Sequence, residues 1–171
     1  MHIARAAVIS IVIVVLGSKA LAAMPRPGER FPQLTADDLT GQSHSTDEFV
    51  GRPRLLVAIA DRKAADAMRA WYIAADERVP ANVARESIIS IRLPFFIPTG
   101  KVRSEAREQV PQQYWQATLL DRGNMAKQLG LEVAQTPYVF VLDERGGIVA
   151  AVHATVDSPQ ADEIWNVFSA R

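Results

Sequence analysis

Six consecutive apolar residues at positions 55–60 (LLVAIA) constrain the fold of this chain more than any other feature of its sequence. An apolar run of strand length, without alternating polar residues, is typical of a strand that is covered on both faces of its sheet. The following segment carries apolar residues at helical spacing, with Asp61 placed to cap it and Pro80 marking its end. The pattern therefore predicts a central strand followed by a helix.

Strand and helix patterns continue to alternate further along the chain. A second strand is predicted over residues 87–93, and the prolines that follow it indicate a loop over residues 94–100. The next predicted elements are a charged helical segment over residues 101–109, a third strand over residues 117–120 and a short helix that begins near Asp121 and ends at Gly130.

The two ends of the globular part are also patterned. Residues 138–142 and 148–153 are apolar runs joined by the sequence DERGG, which predicts an antiparallel hairpin. Ser158 and Pro159 can start a closing helix, whose apolar face holds Ala161, Ile164, Trp165 and Phe168. Residues 23–53 are rich in turn-forming residues and predict turns with a small hairpin.

Composition limits the classes of protein that this chain can belong to. Hydrophobic residues make up 49% and charged residues 22% of its 171 residues, as in one globular domain of ordinary size. The 19 basic and 19 acidic residues cancel, so nucleic acid is not an expected partner. Cysteine is absent from the whole sequence. Disulfides, thiolate nucleophiles and cysteine-built metal centres are therefore excluded.

The first 22 residues follow the order of a secretory signal peptide. Arg5 precedes an apolar stretch over residues 6–16, and Ala20-Leu21-Ala22 supplies the small residues of a cleavage site. An uncleaved membrane anchor is the alternative, but the apolar stretch is shorter than the ~20 residues that a spanning helix needs. We expect cleavage after Ala22, which leaves a domain over residues 23–171 without a membrane span, in the periplasm or secreted.

Several short segments resemble the redoxin and peroxiredoxin domains. Residues 27–32 (PGERFP) are similar to the opening of those domains, residues 56–60 to their first core strand, and residues 146–149 to a hairpin near their end. Thr136-Pro137 before an apolar strand resembles their cis-proline segment. The resemblance implies an α/β, thioredoxin-like three-layer sandwich, with a central mixed sheet and an N-terminal hairpin extension. Residues 51–56, 59–62 and 141–149 look most like the YtfJ-like periplasmic proteins.

The resemblance also indicates where redox chemistry would lie. Catalytic members carry cysteines just after the first core strand, where a helix N-terminus stabilises a thiolate. The corresponding positions here are Ala64 and Ala67, which we take as degenerate redox positions without catalytic groups. The resemblance therefore implies a thioredoxin-like protein that cannot perform thiol-disulfide exchange.

His44 and His153 are residues of a type that often has a function, but we assign a functional role to neither. His44 lies near Asp47 and Glu48, but without a second histidine a solvated turn is favoured over a metal site. His153, at the end of an apolar strand, is expected to be partly buried and hydrogen-bonded rather than a general base. We expect no metal, no cofactor and no catalytic residue.

Two segments are candidates for binding. Asp61, Arg62 and Lys63 could hold an anion at the start of a helix, although a capping aspartate followed by solvated charges explains them equally well. Thr136 and Pro137 could expose backbone groups to an extended peptide, or could only shape the entry to a strand. Both segments are expected at one edge of the sheet, away from the C-terminal helix.

Two functions of different classes follow. The first is a non-catalytic binding or accessory module of the cell envelope, with an envelope protein or extended peptide as its partner. The second is a redoxin-family oxidoreductase or antioxidant protein that uses groups other than thiols. The sequence shows no convergent set of titratable residues, which favours the binding module.

Overall fold

The computed structural model describes residues 23–169, so the predicted signal peptide lies outside the described residues. The strands are β1 (Thr35–Asp38), β2 (Ser43–Ser45), β3 (Arg54–Ile59), β4 (Ala84–Ser90), β5 (Thr118–Asp121), β6 (Tyr138–Leu142) and β7 (Ile148–His153). The helices are α1 (Ala65–Arg78), α2 (Thr99–Gln109), α3 (Asn124–Gln128) and α4 (Ala161–Ser169). No helix in residues 23–169 is long and apolar enough to cross a membrane.

The strands form one mixed sheet in the order β2-β1-β5-β4-β3-β6-β7. Strands β3, β4 and β5 are parallel, whereas β6 pairs antiparallel with β3 and β7 pairs antiparallel with β6. The predicted N-terminal hairpin is β1 and β2, and β1 pairs antiparallel with β5. The hairpin therefore widens the central sheet, and the α/β architecture expected from the sequence is confirmed.

Strand β3 shows why the apolar run at its centre is needed. All six of its residues are buried, and their side chains alternate between two cores. Leu55, Val57 and Ile59 face the core that α1 and α4 cover, whereas Leu56 and Ala58 face the core that α3 and the N-terminal segment cover. The central strand is therefore covered on both faces, as predicted.

Trp71 connects α1 to the residue that follows β7, on the same face of the sheet. Its side chain is fully buried, and its indole Nε1–H donates a hydrogen bond to the carbonyl oxygen of Ala154 at 2.9 Å. The centroid of the Trp71 ring lies 5.0 Å from that of the Trp165 ring on α4. This contact joins the two helices that cover one face, and it confirms these tryptophans as core residues.

A buried ion pair connects the two central parallel strands near the start of β3. The Arg54 guanidinium contacts the Glu86 carboxylate, and the two side chains are 9% and 12% exposed. Arg54 also donates through Nη2 to the carbonyl oxygen of Glu48 at 2.9 Å. Burial lowers the pKa of Arg54 and raises the pKa of Glu86, although their mutual attraction opposes both shifts.

Several predicted boundaries differ from the structure, among them the starts of β4 and α2. Strand β4 begins at Ala84, earlier than predicted, because the parallel ladder already pairs Ala84 with Arg54. Helix α2 begins at Thr99, inside the predicted loop, because Pro98 occupies its N-cap, where no helical N–H is needed. The spacing of apolar residues in the sequence alone predicts neither the start of β4 nor the start of α2.

Candidate functional site

The carboxyl ends of β3, β4 and β5 meet at one edge of the sheet, where ligands commonly bind in α/β proteins. A cleft of about 320 Å³ opens there. We call it the strand-end cleft; its lining residues are Ala60, Asp61, Arg62, Ile91, Arg92, Leu93, Pro94, Ile97 and Val133. It therefore includes part of the segment that sequence reasoning selected at the start of α1.

The structure assigns local partners to the predicted Asp61–Lys63 group. The Asp61 carboxylate accepts a hydrogen bond from the backbone N–H of Lys63 at 3.0 Å, which confirms Asp61 as a cap. Arg62 Nη2 lies 3.3 Å from Glu105 Oε2 on α2. Because carboxylates of the protein engage this N–H and this guanidinium, an anion would have to compete with them.

The two positions expected to correspond to redox cysteines lie on either side of the start of α1. Ala64 is fully buried and ends a 3-10 turn (Arg62–Ala64), whereas Ala67 is half-buried in the first part of α1. Both side chains are methyl groups, so neither can supply a nucleophile or a proton.

Thr136 and Pro137 directly precede β6, whose first residue, Tyr138, pairs with Ala58 near the end of β3. Continuing the antiparallel register of β3 and β6, in which Ala58 pairs with Tyr138, places Thr136 opposite Ala60. None of the peptide bonds in residues 23–169 is cis, so the cis-proline expected at Pro137 is wrong. The Pro137 carbonyl oxygen extends the ladder between β6 and β7 by accepting from the Ala154 N–H at 3.2 Å.

His153 covers the backbone that Thr136 was expected to expose. The His153 ring contacts the Thr136 carbonyl oxygen through Nε2 at 3.2 Å and stacks on the Tyr138 ring at 3.9 Å. His153 is hydrogen-bonded as predicted, but it is exposed rather than partly buried because β7 is an edge strand. An extended peptide would therefore have to displace this imidazole to pair with the Thr136 carbonyl.

The most distinctive feature of this edge is one that the sequence reasoning missed. Phe95 and Phe96 are 94% and 71% exposed, although their neighbours Pro94 and Ile97 line the strand-end cleft. Val133, on the opposite lip, is a further exposed apolar residue. The signal was present in the sequence as two phenylalanines in a proline-bounded loop, where neither a helix nor a strand could bury them.

The loop that carries these phenylalanines is fixed to the body of the protein. Arg122 donates from Nη1 to the carbonyl oxygen of Ile97 at 2.7 Å and from Nη2 to that of Pro94 at 2.8 Å. The guanidinium therefore joins the two ends of the turn that carries Phe95 and Phe96. The two rings are arranged edge to face, with their centroids 5.6 Å apart. The result is an ordered apolar projection beside an open cleft.

His44 is more than part of a solvated turn, and the sequence reasoning was wrong in this respect. Its ring nitrogens lie 3.0 Å from Glu48 Oε2 and 3.0 Å from Asp38 Oδ2. The bond to Glu48, together with Asp38, raises the pKa of His44 against the opposing effect of burial. At Asp38, burial is outweighed by hydrogen bonds from Thr40, Gln42 and His44, which lower its pKa. The described residues contain no cluster of three side chains suited to holding a metal ion.

Comparisons with known proteins agree with this architecture. No protein-family model and no curated protein matches the sequence. Among solved structures, thiol peroxidase from Chromobacterium violaceum superposes with a TM-score of 0.62 and 15% identity, covering 88% of this chain and 89% of that chain. Peroxidoxin BcpB from Mycobacterium tuberculosis gives a TM-score of 0.57 and 18% identity, covering 85% and 97%.

A third similar structure comes from a surface-exposed protein. The pneumococcal exposed lipoprotein thioredoxin Etrx1 from Streptococcus pneumoniae superposes with a TM-score of 0.56 and 10% identity, covering 82% of this chain and 100% of that chain. Identities this low demonstrate a shared fold and carry no activity with them. The chain therefore shares the thioredoxin-like fold of these structures, and it has this fold without a single cysteine.

Proposed function

We propose that this protein is an exported, non-catalytic binding module of the cell envelope that holds a partner protein at the strand-end cleft. The observation that carries the proposal is the ordered exposure of Phe95 and Phe96 beside that cleft. Exposed aromatic residues on a rigid scaffold are typical anchors of protein interfaces.

The chemistry of the site favours binding over catalysis. A thioredoxin-like scaffold usually acts through cysteine thiolates, and here the expected positions are Ala64 and Ala67. In their place, the same edge presents two phenylalanine rings and Val133 around an open cleft. Binding of a partner that covers this apolar surface lowers the free energy, because apolar area is removed from water.

The fixed loop strengthens this proposal. Binding costs free energy when side chains and loops must be ordered, and a loop already held by Arg122 has less freedom to lose. A partner that places an apolar segment against Phe95 and Phe96 can also insert a side chain into the cleft. We therefore favour an envelope protein that presents an extended apolar segment over a small anion, because Glu105 already occupies Arg62.

Export is supported by the tripartite pattern of residues 1–22 and by the character of similar structures. Etrx1 is described as an exposed lipoprotein, and another structural neighbour as a putative thiol:disulfide interchange protein DsbE. The resemblance to YtfJ-like periplasmic proteins points to the same compartment. Intact mass of the protein from an envelope fraction tests this directly, because cleavage after Ala22 predicts a species that begins at Ala23.

Affinity capture from envelope extracts of the source cells tests the binding surface. The informative variant is Phe95→Ser with Phe96→Ser, since both side chains are exposed and their removal leaves the core intact. Val149→Ser is the matched control, because Val149 is 42% exposed on edge strand β7. We expect the double variant to lose partners that the wild type and the control retain.

A second double variant tests the cleft itself. In this variant, Arg62→Glu reverses a charge in the lining of the strand-end cleft, and Thr136→Arg places a larger side chain just before β6. Weaker capture of the same partners is expected from this variant. Equal capture by both folded double variants would show that the partner surface lies on another face.

A further inference from the structure

A second and larger cleft lies between α1 and α2. Its volume is about 420 Å³, within the range of ~300–1,000 Å³ that is usual for small-molecule sites. We call it the helix cleft; Ile59, Met68, Ile89, Ile91 and Val102 line it with apolar side chains. Along α1 the lining extends from Ala65 to Asp76, about 16 Å of helix at ~1.5 Å per residue. The cleft is therefore elongated and largely apolar.

The helix cleft stays open because α2 has little apolar packing, through Val102 and Ala106, and is otherwise held in place by polar contacts. Among the described side chains of α2, only Val102 is buried. Arg103 Nη2 lies 2.8 Å from Asp37 Oδ2, and Arg107 Nε donates to the Leu39 carbonyl oxygen at 2.5 Å. These contacts fix α2 to the β1 region from its outer side.

The short side chains that α2 directs at the cleft leave the interior unfilled. Ala106 and Val110 line it opposite Met68 and Tyr72 of α1. The ion pair between Arg62 and Glu105 joins the turn before α1 to α2 at one end of this space. The cleft is thus a preformed space between two anchored helices.

The charges around the helix cleft indicate the kind of ligand it would accept. Three arginines, Arg62, Arg69 and Arg85, line it against two carboxylates, Asp76 and Glu105. Each carboxylate is paired with an arginine of the lining, Glu105 with Arg62 and Asp76 with Arg85. The third arginine, Arg69, pairs at 3.3 Å with Asp66, which lies outside the lining and is 93% exposed, so this surface pair is weak. Arg69 is therefore the arginine of the lining that a ligand carboxylate can engage at the lowest cost.

From this elongated apolar floor and this weakly paired arginine, we infer that the helix cleft binds a medium-chain fatty acid. Its hydrocarbon chain lies along Ile59, Ile89 and Ile91, and its carboxylate pairs with Arg69 at the rim. Burial of the chain supplies most of the binding free energy, and the charged hydrogen bond orients the head group. This site is separate from the proposed partner surface, because Phe95 and Phe96 do not line it.

Isothermal titration calorimetry with laurate, compared with dodecanol and kept below micelle formation, tests this inference on the domain from residue 23 onward. We expect saturable binding of one laurate and about tenfold weaker binding of dodecanol, which lacks the carboxylate. Arg69→Gln should weaken laurate binding by about tenfold and leave dodecanol unaffected. Arg145→Gln, an exposed arginine in the hairpin turn, is the control and should change neither.

Two further variants test the location. Ala106→Phe fills the cleft from α2 and should abolish binding of both ligands. Ile73→Glu places a negative charge at the rim, where the native side chain is 62% exposed, so folding is preserved while laurate binding weakens. Absence of saturable laurate binding, or unchanged binding in the folded Ile73→Glu variant, would overturn the proposed site. Equal affinities for laurate and dodecanol would overturn the assignment of a carboxylate ligand.

Discussion

Replacing Arg54 with methionine should make the stability of the protein strongly dependent on pH. The Arg54 and Glu86 side chains are 9% and 12% exposed, so the variant leaves a buried carboxyl group without its cation. Breaking a buried pair in this way is costly, and the carboxyl group can reduce the cost by taking up a proton. Arg54→Met should therefore raise the already elevated pKa of Glu86 further.

The magnitude follows from the cost of holding that proton. A glutamate in the unfolded chain titrates near pH ~4.3, and each pH unit of difference is worth about 1.36 kcal/mol. Keeping Glu86 protonated at about pH 7 therefore costs at most about 3.7 kcal/mol. Loss of the hydrogen bond from Arg54 to the Glu48 carbonyl adds about 1 kcal/mol, independent of pH.

The sign of the pH dependence is fixed by the direction of the shift. With a raised pKa, the folded state binds a proton that the unfolded state releases, so stability is lost as pH rises above the unfolded value. Between about pH 5 and 7, the difference in the free energy of unfolding between the wild type and Arg54→Met should grow by up to about 1.4 kcal/mol per pH unit. Urea unfolding followed by tryptophan fluorescence measures this.

Two comparison variants isolate the charge of Glu86. Glu86→Gln leaves Arg54 buried and unpaired, but arginine keeps its proton throughout this range, so the pair should add no pH dependence to the stability of this variant. Combining Arg54→Met with Glu86→Gln removes both charges and should abolish the slope. An Arg54→Met loss that is the same at about pH 5 and 7 would refute the reasoning.

Three other predictions follow from the fold. His44→Gln should be most destabilising near or below pH ~6.5 and progressively less so as pH rises through the raised pKa of His44, as unfolding curves at mildly acidic and alkaline pH would reveal; a constant difference would contradict its protonation. Trp71→Phe should cost about 1–3 kcal/mol more than Trp165→Phe in urea unfolding, because the Trp71 indole N–H donates a hydrogen bond whereas that of Trp165 has no partner among the described residues; equal losses would count against that hydrogen bond. The purified domain should reduce neither insulin nor peroxide above the buffer rate, and measurable turnover would disprove the absence of thiol-type activity.

The sequence predicted the fold because its strongest patterns are those that the packing requires. The apolar run at residues 55–60 is buried on both faces, and the DERGG turn between β6 and β7 contains Gly146 with φ +78°, a conformation that glycine readily adopts. Both signals are local and do not depend on distant partners. The predicted boundary of β4 was wrong because pairing between Arg54 and Ala84 joins residues far apart in the chain.

The candidate site was predictable only in part, for the same reason. Placing Asp61 and Thr136 at one edge follows from strand order, which the alternation of elements indicates. The contact of His153 with the Thr136 carbonyl and the clamp of Arg122 on the Phe95–Phe96 turn join side chains to distant backbone groups. No periodicity in the sequence encodes such contacts, so they emerge only from the three-dimensional structure.

Site-specific photo-crosslinking in the source cells tests the central claim most directly. A photoreactive phenylalanine analogue at Phe95 should give a discrete adduct with an envelope protein, because that side chain is 94% exposed at the proposed interface. The same analogue at Val149, on the edge strand β7, should not give that adduct. Matching adducts at both positions, or no adduct at Phe95 in cells where the protein is folded and exported, would contradict a binding module that acts through this edge.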